Sequence, residues 1–261
     1  MNGYAGRAPF YRSEFAVRDD FSLLERLLAG EDGLVVDIPS GAGRLLPVHQ
    51  MHGREVIMVD IEPAMTRQCR LGAASPGLTP RVTAVHGDIT TWQAPRPAAR
   101  IVVARGGLQI LPSQKAIAQA LAACAANLTD GGLLYLDVAM PWTAAPDGAC
   151  HLPPFLRFTE AIRLQGDSYI HAGPGTRIRR SYTSTLMPDR VAVHFQYQAD
   201  DSTAVDWQDF EADASWCRVD VASVLGTLTT NRLTVISMLG DYAGTPYTSG
   251  SARFICIAAA R

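Results

Sequence analysis

Two aspartates and two glycines have the types and spacing of residues that could do chemistry. Asp37 ends an apolar run, Gly41 and Gly43 follow it in the segment VVDIPSGAGR, and Asp60 ends the next apolar run. Glycines at a point where a strand becomes a helix let a ligand approach the backbone, although a plain turn would show the same glycines. An acid at the end of the second strand of a doubly wound sheet can accept hydrogen bonds from both ribose hydroxyls. The pattern therefore favours a nucleoside site.

A third acid supports this interpretation. Asp88 follows another strand-like run in the segment HGDI, where its carboxylate could accept a hydrogen bond from an adenine amino group, with Ile89 beside the ring. Any one of these acids alone could be a solvated loop residue. Three acids at successive strand ends, with glycines between them, indicate a binding site for adenosine.

The motif also narrows the class of nucleoside. A dinucleotide site needs G-x-G-x-x-G, but Gly41 and Gly43 are followed by Leu46 where the third glycine would stand. A phosphate-binding loop needs a lysine, and the single lysine of the chain, Lys115, lies far from this segment. The expected ligand is therefore an adenosine without a phosphate chain, which points to S-adenosylmethionine.

An alternation of strand-like and helix-like segments must position these residues. Strands are predicted at residues 35–38, 55–59, 81–85, 101–104 and 133–138. Helices are predicted at residues 10–28, 42–51, 63–71 and 113–128, the last with Ser113 as its N-cap and a stop at residues 130–132. This alternation predicts an α/β fold with a doubly wound, mostly parallel sheet that has helices on both faces.

The alternation breaks after residue 140. Residues 141–155 indicate a loop, and period-two patterns at residues 178–186 and 191–197, with a turn at 187–190, predict an antiparallel hairpin that residues 205–210 extend. A helix at 219–227 and two strands, at 233–239 and 253–258, then complete the main sheet. We expect one domain over residues 1–261, with an antiparallel insertion at 141–215 that forms a lid and the acceptor pocket and could mediate self-association.

These segments together resemble a class I S-adenosylmethionine-dependent methyltransferase over nearly the whole chain. The segments that carry the resemblance are DIPSGAGR, VDIEPAM, HGDIT, VARGGLQIL, LTDGGLLYLDV and the final GDYAGTPYTSGSARFICIAAAR. The most similar group acts on sugars and other natural-product intermediates, often on nitrogen. The resemblance implies a seven-stranded sheet with its last strand antiparallel, and S-adenosylmethionine as cofactor. It implies these cofactor-binding residues: Tyr11, Asp37, Pro39, Ser40, Gly41, Gly43, Asp60, Ile61, Met65, Asp88, Ile89, Ala104 and Arg105.

The first motif departs from the family pattern at two positions. Pro39 and Ser40 stand where a glycine and a small residue or cysteine are usual. Because proline has no backbone N–H, any polar contact at Pro39 must come from its carbonyl or from neighbouring residues. Asp37, Gly41 and Gly43 remain, so the motif is altered but still present.

Four residues are candidates for the methyl-transfer step. A hydroxyl or carbon acceptor usually needs a base, whereas a neutral amine does not. His151 lies in the loop expected to cover the site and is the best-placed histidine, although a histidine in such a loop is more often a plain surface residue. Arg105 and Gln109 follow the fourth strand and could orient an acceptor, and in the resembled family tyrosines placed like Tyr11 close over the methionine carboxylate or the acceptor. No motif has metal-ligand spacing, so no metal is expected.

The predicted function is methyl transfer to a small molecule, with an amine of a sugar or natural-product intermediate preferred. The alternatives are O- or C-methylation, or a protein that binds the cofactor without catalysis. A net charge of −2 argues against a nucleic-acid partner, and no apolar run is long enough to span a membrane. Five scattered cysteines and a start without a signal peptide favour reduced thiols in the cytoplasm.

Overall fold

Two β-sheets organise the chain in a computed structural model that describes residues 3–30, 33–51, 54–74, 81–143, 152–158, 162–173, 176–200 and 207–261. The strands are β1 Val35–Asp37, β2 Val56–Asp60, β3 Val82–His86, β4 Ala98–Val103, β5 Leu128–Ala139, β6 Arg163–Gly173, β7 Thr176–Leu186, β8 Arg190–Ala199, β9 Phe210–Cys217, β10 Leu233–Leu239 and β11 Arg253–Ala260. The helices are α1 Gly3–Arg7, α2 Tyr11–Glu14, α3 Phe21–Leu28, α4 Leu46–Met51, α5 Pro63–Ala73, α6 Gln114–Ala126 and α7 Val221–Thr230.

The larger sheet has seven strands in the order β10-β11-β5-β4-β1-β2-β3. β1 pairs in parallel with both β2 and β4, whereas β11 runs antiparallel to its neighbours β5 and β10. Strands β1, β2 and β4 are buried along their whole length because apolar clusters cover the sheet on both faces. The predicted fold class is confirmed, and strand order reverses between β1 and β4, where ligands of such sheets bind.

The single helix expected at residues 10–28 is wrong. The structure has α2, an irregular stretch at residues 15–20, and then α3. The side chain of Asp20 is engaged by Arg44 and Arg105, so a tertiary contact overrides the local helical pattern.

Two predicted boundaries also moved. Helix α4 begins at Leu46 rather than residue 42, because Gly41 and Gly43 adopt left-handed φ angles of 55° and 87°. Ser113 caps α6 as predicted, its hydroxyl accepting from the Ala116 N–H. The stop at residues 130–132 is wrong, because α6 already ends at Ala126. Its C-cap Asn127 accepts a hydrogen bond from the Ala94 N–H and donates one to the Ala123 carbonyl. Residues 130–132 lie inside β5.

The insertion forms the second sheet, in the order β6-β7-β8-β9. The hairpin of β7 and β8 is confirmed, and Val191, Val193, Phe195 and Tyr197 form its buried face. Strand β6 was not predicted. The strand expected at residues 205–210 is β9, which begins only at Phe210. Residues 201–206 lie outside the described part of the chain. We call this second sheet the acceptor sheet, after the role proposed for it below.

Four cysteines of the described residues, Cys69, Cys124, Cys217 and Cys256, are buried and free, and Cys150 lies outside them. Burial raises the pKa of Cys69, Cys124 and Cys256 to about 12, which keeps these thiols protonated and unreactive at neutral pH. No helix in the described ranges is long and apolar enough to cross a membrane.

Candidate active site

A cavity of about 360 Å³ lies at the carboxyl ends of β1, β2, β4 and β5. Ten of the residues expected to bind the cofactor border it: Tyr11, Asp37, Pro39, Ser40, Gly41, Asp60, Ile61, Met65, Ala104 and Arg105. We call the part that they form the cofactor half. The remainder, formed by residues 14–15, Ile110, Ala139, the loop at residues 152–157 and the acceptor sheet, is the acceptor half.

Asp60 links the segment VDIEPAM, in which it lies, to the glycine turn of the segment DIPSGAGR. Its two carboxylate oxygens accept hydrogen bonds from the backbone N–H of Gly41, at 2.7 Å, and of Glu62, at 2.9 Å. Burial raises the pKa of Asp60 above its ordinary value, although both backbone hydrogen bonds oppose this. Each carboxylate oxygen has two lone pairs, so each can accept a further hydrogen bond from a ligand hydroxyl.

Asp37 has a partner that sequence analysis did not find. His49 on α4 is buried, and its Nε2 lies 3.2 Å from Oδ2 of Asp37, while its Nδ1 has no partner among the described residues. The ring fixes one oxygen of the carboxylate at the end of β1. No motif links the two positions, because the contact arises only once α4 packs against the sheet.

The altered residues of the first motif also border the cavity. The Ile38–Pro39 peptide bond is cis, and the Ser40 N–H donates to the Val59 carbonyl at 2.8 Å. The Ser40 hydroxyl is buried and has no hydrogen-bond partner in the described ranges. A buried polar atom without a partner is costly, so this hydroxyl is available to a bound ligand.

The glycine turn is tightly enclosed. A Cβ on Gly41 would lie 3.1 Å from Cε1 of Tyr11, so that the tyrosine ring packs directly on the backbone here. A Cβ on Gly43 would lie 2.7 Å from Cδ1 of Leu46, and Gly43 supports the turn without bordering the cavity. A nucleoside fits these residues, because the ribose acid, the free serine hydroxyl and the buried Met65 side chain share one wall.

Asp88 and Ile89 follow β3 but do not border the cavity. Oδ1 of Asp88 accepts from the N–H and the hydroxyl of Thr90, each at 2.8 Å, and Ile89 is buried in the core. Their role at the adenine ring stays a prediction.

Arg105 follows β4 in a left-handed conformation, with φ of 51°. Its N–H donates to Oδ2 of Asp137 at 3.0 Å, and its side chain pairs with Asp19 and Asp20. Asp20 in turn receives both terminal nitrogens of Arg44. Arg105 is therefore held by the N-terminal segment, and this network holds residues 19–20 against the cavity.

Asp137 is the centre of a second buried network. The Arg253 guanidinium donates to its Oδ1 and the Tyr242 hydroxyl donates to its Oδ2, at 2.9 Å. The side chains of Arg253 and Asp137 are at most 1% exposed. This network ties β5 and β11 to the loop that carries Arg105, and Arg253 forms part of the cavity wall.

Glu14 organises the acceptor half and was missed by sequence analysis. Its Oε1 accepts from Nη1 of Arg180 at 2.7 Å, from the Tyr197 hydroxyl at 2.8 Å and from Nη2 of Arg7 at 2.9 Å. Its Oε2 accepts from Nε of Arg7 at 3.0 Å. We call these four residues the Glu14 cluster. The available signal was that Arg180 shares one face of the predicted strand with the apolar residues Ile178 and Leu186.

The rest of the acceptor half is mainly apolar. Its walls include Phe15, Ile110, Ala139, Leu152, Phe155, Leu156 and Trp216. The rings of Phe155 and Trp216 lie 5.2 Å apart, centroid to centroid. Such a surface excludes water and can hold a ring-shaped acceptor.

Two of the residues expected to act in catalysis, Gln109 and His151, are not found in the cavity wall: Gln109 lies elsewhere, and His151 is outside the described residues. Gln109 is fully buried and does not border the cavity, because its amide donates to the carbonyls of Ala139 and Cys217 and accepts from the Ala139 N–H at 2.7 Å. The expectation that Gln109 orients an acceptor is corrected accordingly, since its hydrogen-bonding capacity is used by the backbone. His151 lies outside the described residues.

Comparisons with known proteins come from sequence and from structure. Residues 35–132 match a family described as a methyltransferase domain, while no curated protein matches the chain in sequence. An S-adenosylmethionine-dependent methyltransferase from Clostridium acetobutylicum is similar in structure, with a TM-score of 0.71 and 13% identity over 96% of this chain and 92% of that chain.

Two further solved structures are similar. CalS10, an amino pentose methyltransferase from Micromonospora echinaspora, has a TM-score of 0.68 and 17% identity over 96% of this chain and 94% of that chain. KedS8, a sugar N-methyltransferase from a Streptoalloteichus species, has a TM-score of 0.70 and 18% identity over 96% of this chain and 91% of that chain. At these identities the likeness establishes the fold.

Proposed function

From the match of residues 35–132 to a methyltransferase domain, we propose that the chain is a class I S-adenosylmethionine-dependent methyltransferase and that it methylates an amine nitrogen of a small molecule, such as an amino sugar or another natural-product intermediate. The proteins of similar fold that are named for amino pentose and sugar nitrogen acceptors support this choice. The absence of an available base among the described residues of the acceptor half is the observation that carries it.

The chain's own residues divide the work of holding the cofactor. Bound S-adenosylmethionine supplies a methyl group that its sulfonium already activates. Asp60 is proposed to accept the ribose hydroxyls, while Asp37 and the Ser40 hydroxyl bind polar groups at the methionine end. Tyr11 packs on Gly41 and closes the cavity over the cofactor half.

Nitrogen is favoured because the ionisable groups that border the acceptor half in the described residues are poor bases. The carboxylate of Glu14 already accepts four hydrogen bonds, from two guanidinium groups and a phenol. The guanidinium of Arg180 only donates hydrogen bonds and has no accepting atom, so it does not serve as a base. Burial also raises the pKa of Tyr4 and of Tyr11, two tyrosines elsewhere in the cavity wall, so neither phenol provides a base. A neutral amine can attack without such help, whereas a hydroxyl or carbon acceptor usually cannot.

The remaining contribution of the protein is positioning. The apolar walls at Phe155 and Trp216 exclude water and restrict the acceptor, and the N-terminal segment closes the opposite side. Holding two reactants in line accelerates transfer by removing the entropy cost of bringing them together.

The test is a comparison of matched acceptors. We expect the enzyme to transfer a labelled methyl group from S-adenosylmethionine to amino sugars and to leave the corresponding hydroxy sugars and phenols unmodified, as seen by mass spectrometry of the products. Transfer to hydroxyl or carbon atoms alone, with amines untouched, would overturn the proposal of nitrogen as the acceptor.

His151→Ala provides an independent check. If the acceptor is an amine, we expect this variant to retain turnover within a few-fold of wild type. Loss of turnover with unchanged affinity for S-adenosylhomocysteine would instead favour base-assisted transfer to oxygen or carbon.

A further inference from the structure

Arg180 borders the acceptor half of the cavity and has one guanidinium nitrogen without a hydrogen bond among the described residues. Its Nε donates to the Ser168 hydroxyl at 3.0 Å and its Nη1 to Glu14 at 2.7 Å, while Nη2 makes no hydrogen bond with any described residue. Its side chain is 5% exposed, and the residue borders the cavity. We propose that Arg180 binds an oxyanion of the acceptor, a carboxylate or a phosphate, and so selects acceptors that carry a negative charge. This inference rests on the proposed function.

The charge balance of the Glu14 cluster supports an anionic ligand. Two guanidinium groups, of Arg7 and Arg180, share the single carboxylate of Glu14, which leaves one positive charge in excess. Burial raises the pKa of Tyr197, so that its phenol stays neutral and does not compensate. Nη1 of Arg7 is also buried without a partner among the described residues.

The acids bordering the rest of the cavity do not neutralise this excess. Asp19 pairs with Arg105, Asp37 lies beside His49, and Asp60 and Glu62 accept from backbone N–H groups, so each of these carboxylates already has a partner of its own. A buried charge that lacks a full counter-charge is costly, and an anion seated on it removes that cost. The acceptor half therefore favours a negatively charged ligand over a neutral one of the same shape.

The guanidinium of Arg180 is also fixed in place. Strand β7 lies between β6 and β8, so Arg180 has Ser168 and Tyr197 as its direct cross-strand neighbours. Its Cζ lies 5.4 Å from the centroid of the Phe155 ring and 5.5 Å from that of Phe195. A guanidinium held in this way loses little freedom when it binds an oxyanion.

The decisive measurement compares three probes that differ in one substituent. They are 4-(aminomethyl)benzoate, its neutral amide 4-(aminomethyl)benzamide, and the corresponding phenylphosphonate, each titrated into enzyme saturated with S-adenosylhomocysteine. Calorimetry measures binding, and the fluorescence of Trp216 in the cavity wall provides a second readout. We expect the better of the two anions to bind roughly 10-fold or more tightly than the amide, as for one hydrogen bond between charged groups.

Variants assign the preference to Arg180. Arg180→Gln should bring the ratio of anion to amide affinity close to one. Arg179→Gln is the matched control, because Arg179 lies on the opposite face of the same strand, half-exposed and paired with Asp167. This control should keep the wild-type ratio. Arg180→Lys keeps the charge but loses the forked geometry, and should keep a reduced preference even where the glutamine variant fails to fold.

The outcomes separate the two proposals. A wild-type ratio near one, failure of all three probes to bind, or an unchanged ratio in Arg180→Gln would each overturn the role of Arg180. Absence of S-adenosylhomocysteine binding by the wild-type enzyme would instead contradict the proposed function. Unchanged S-adenosylhomocysteine affinity in the Arg180 variants shows that the cofactor half is intact, so that loss of the ratio is specific to the acceptor half.

Discussion

Replacing Asp60 by asparagine provides the sharpest test of the cofactor half. Asp60 is only 7% exposed, and its two carboxylate oxygens accept hydrogen bonds from the backbone N–H groups of Gly41 and Glu62. Asparagine keeps the shape and one accepting oxygen, whereas alanine would release Gly41 and Glu62 together. The asparagine variant therefore removes the charge with the least disturbance of the turn.

The expected magnitude follows from the chemistry of the lost contact. Hydrogen bonds to a charged group contribute about 1.5–3 kcal/mol, against about 1 kcal/mol for a neutral pair. The Asp60→Asn variant replaces two charged carboxylate oxygens by one neutral amide oxygen and one NH2 group. The NH2 group is a donor, and it would face the ribose hydroxyls that are proposed to donate to Asp60. We expect the Kd for S-adenosylhomocysteine to rise roughly 10- to 150-fold.

Isothermal titration calorimetry with S-adenosylhomocysteine at neutral pH measures this change. Asp130→Asn is the matched control, because Asp130 is exposed and does not border the cavity. Circular dichroism and thermal unfolding check that the Asp60 variant retains its fold. An affinity within two-fold of wild type, or equal losses in the two variants, would show that Asp60 does not hold the ribose.

Three further predictions follow from named contacts. Bound ribose favours the ionised form of Asp60, whose pKa is raised by burial. The affinity for S-adenosylhomocysteine should therefore be highest above that pKa and fall as the pH drops through it. Calorimetric titrations at a series of pH values should show this dependence in wild type and not in Asp60→Asn. Gly43→Ala should lower the free energy of urea unfolding by about 1–2 kcal/mol because of its left-handed φ, and by a further amount because the new methyl group would contact Leu46. Gly131→Ala isolates the first effect, since Gly131 has φ of 73° and open space around it. Equal losses in the two variants would contradict the contact with Leu46. Asp137→Asn breaks the buried pair with Arg253 and should lower the free energy of urea unfolding by about 3–5 kcal/mol. Asp167→Asn, which breaks an exposed pair with Arg179, should have a smaller effect. Similar losses in the two variants would refute the contribution of the buried network.

The main sheet was predictable because its information is local. Each short apolar run ends at a polar or glycine-rich turn, and in a parallel sheet such runs must be buried on both faces. Asp37 and Asp60 end β1 and β2, so pattern and topology together place both acids at one edge. The cofactor half could therefore be outlined from the sequence.

The N-terminal segment and the acceptor half could not be predicted in the same way. Asp20 interrupts a helical pattern because two arginines from distant segments bind it. Glu14 lies far in the sequence from Arg180 and Tyr197, its partners in the acceptor sheet. No spacing rule connects such positions, since the contacts exist only after two sheets and the N-terminal helices have packed.

Gln109 has a consequence for how the molecule is divided. The chain leaves the main sheet at Ala139 and leaves the acceptor sheet at Cys217, and the side-chain amide of Gln109 holds the backbone at both points. The backbone N–H of Cys217 also donates to the Gln109 carbonyl at 2.6 Å. Gln109 therefore fastens both ends of the chain segment that forms the acceptor sheet at one place beside the main sheet. Changes within that segment can alter which acceptor is bound while the turn around Gly41 and the aspartates beside it keep their geometry.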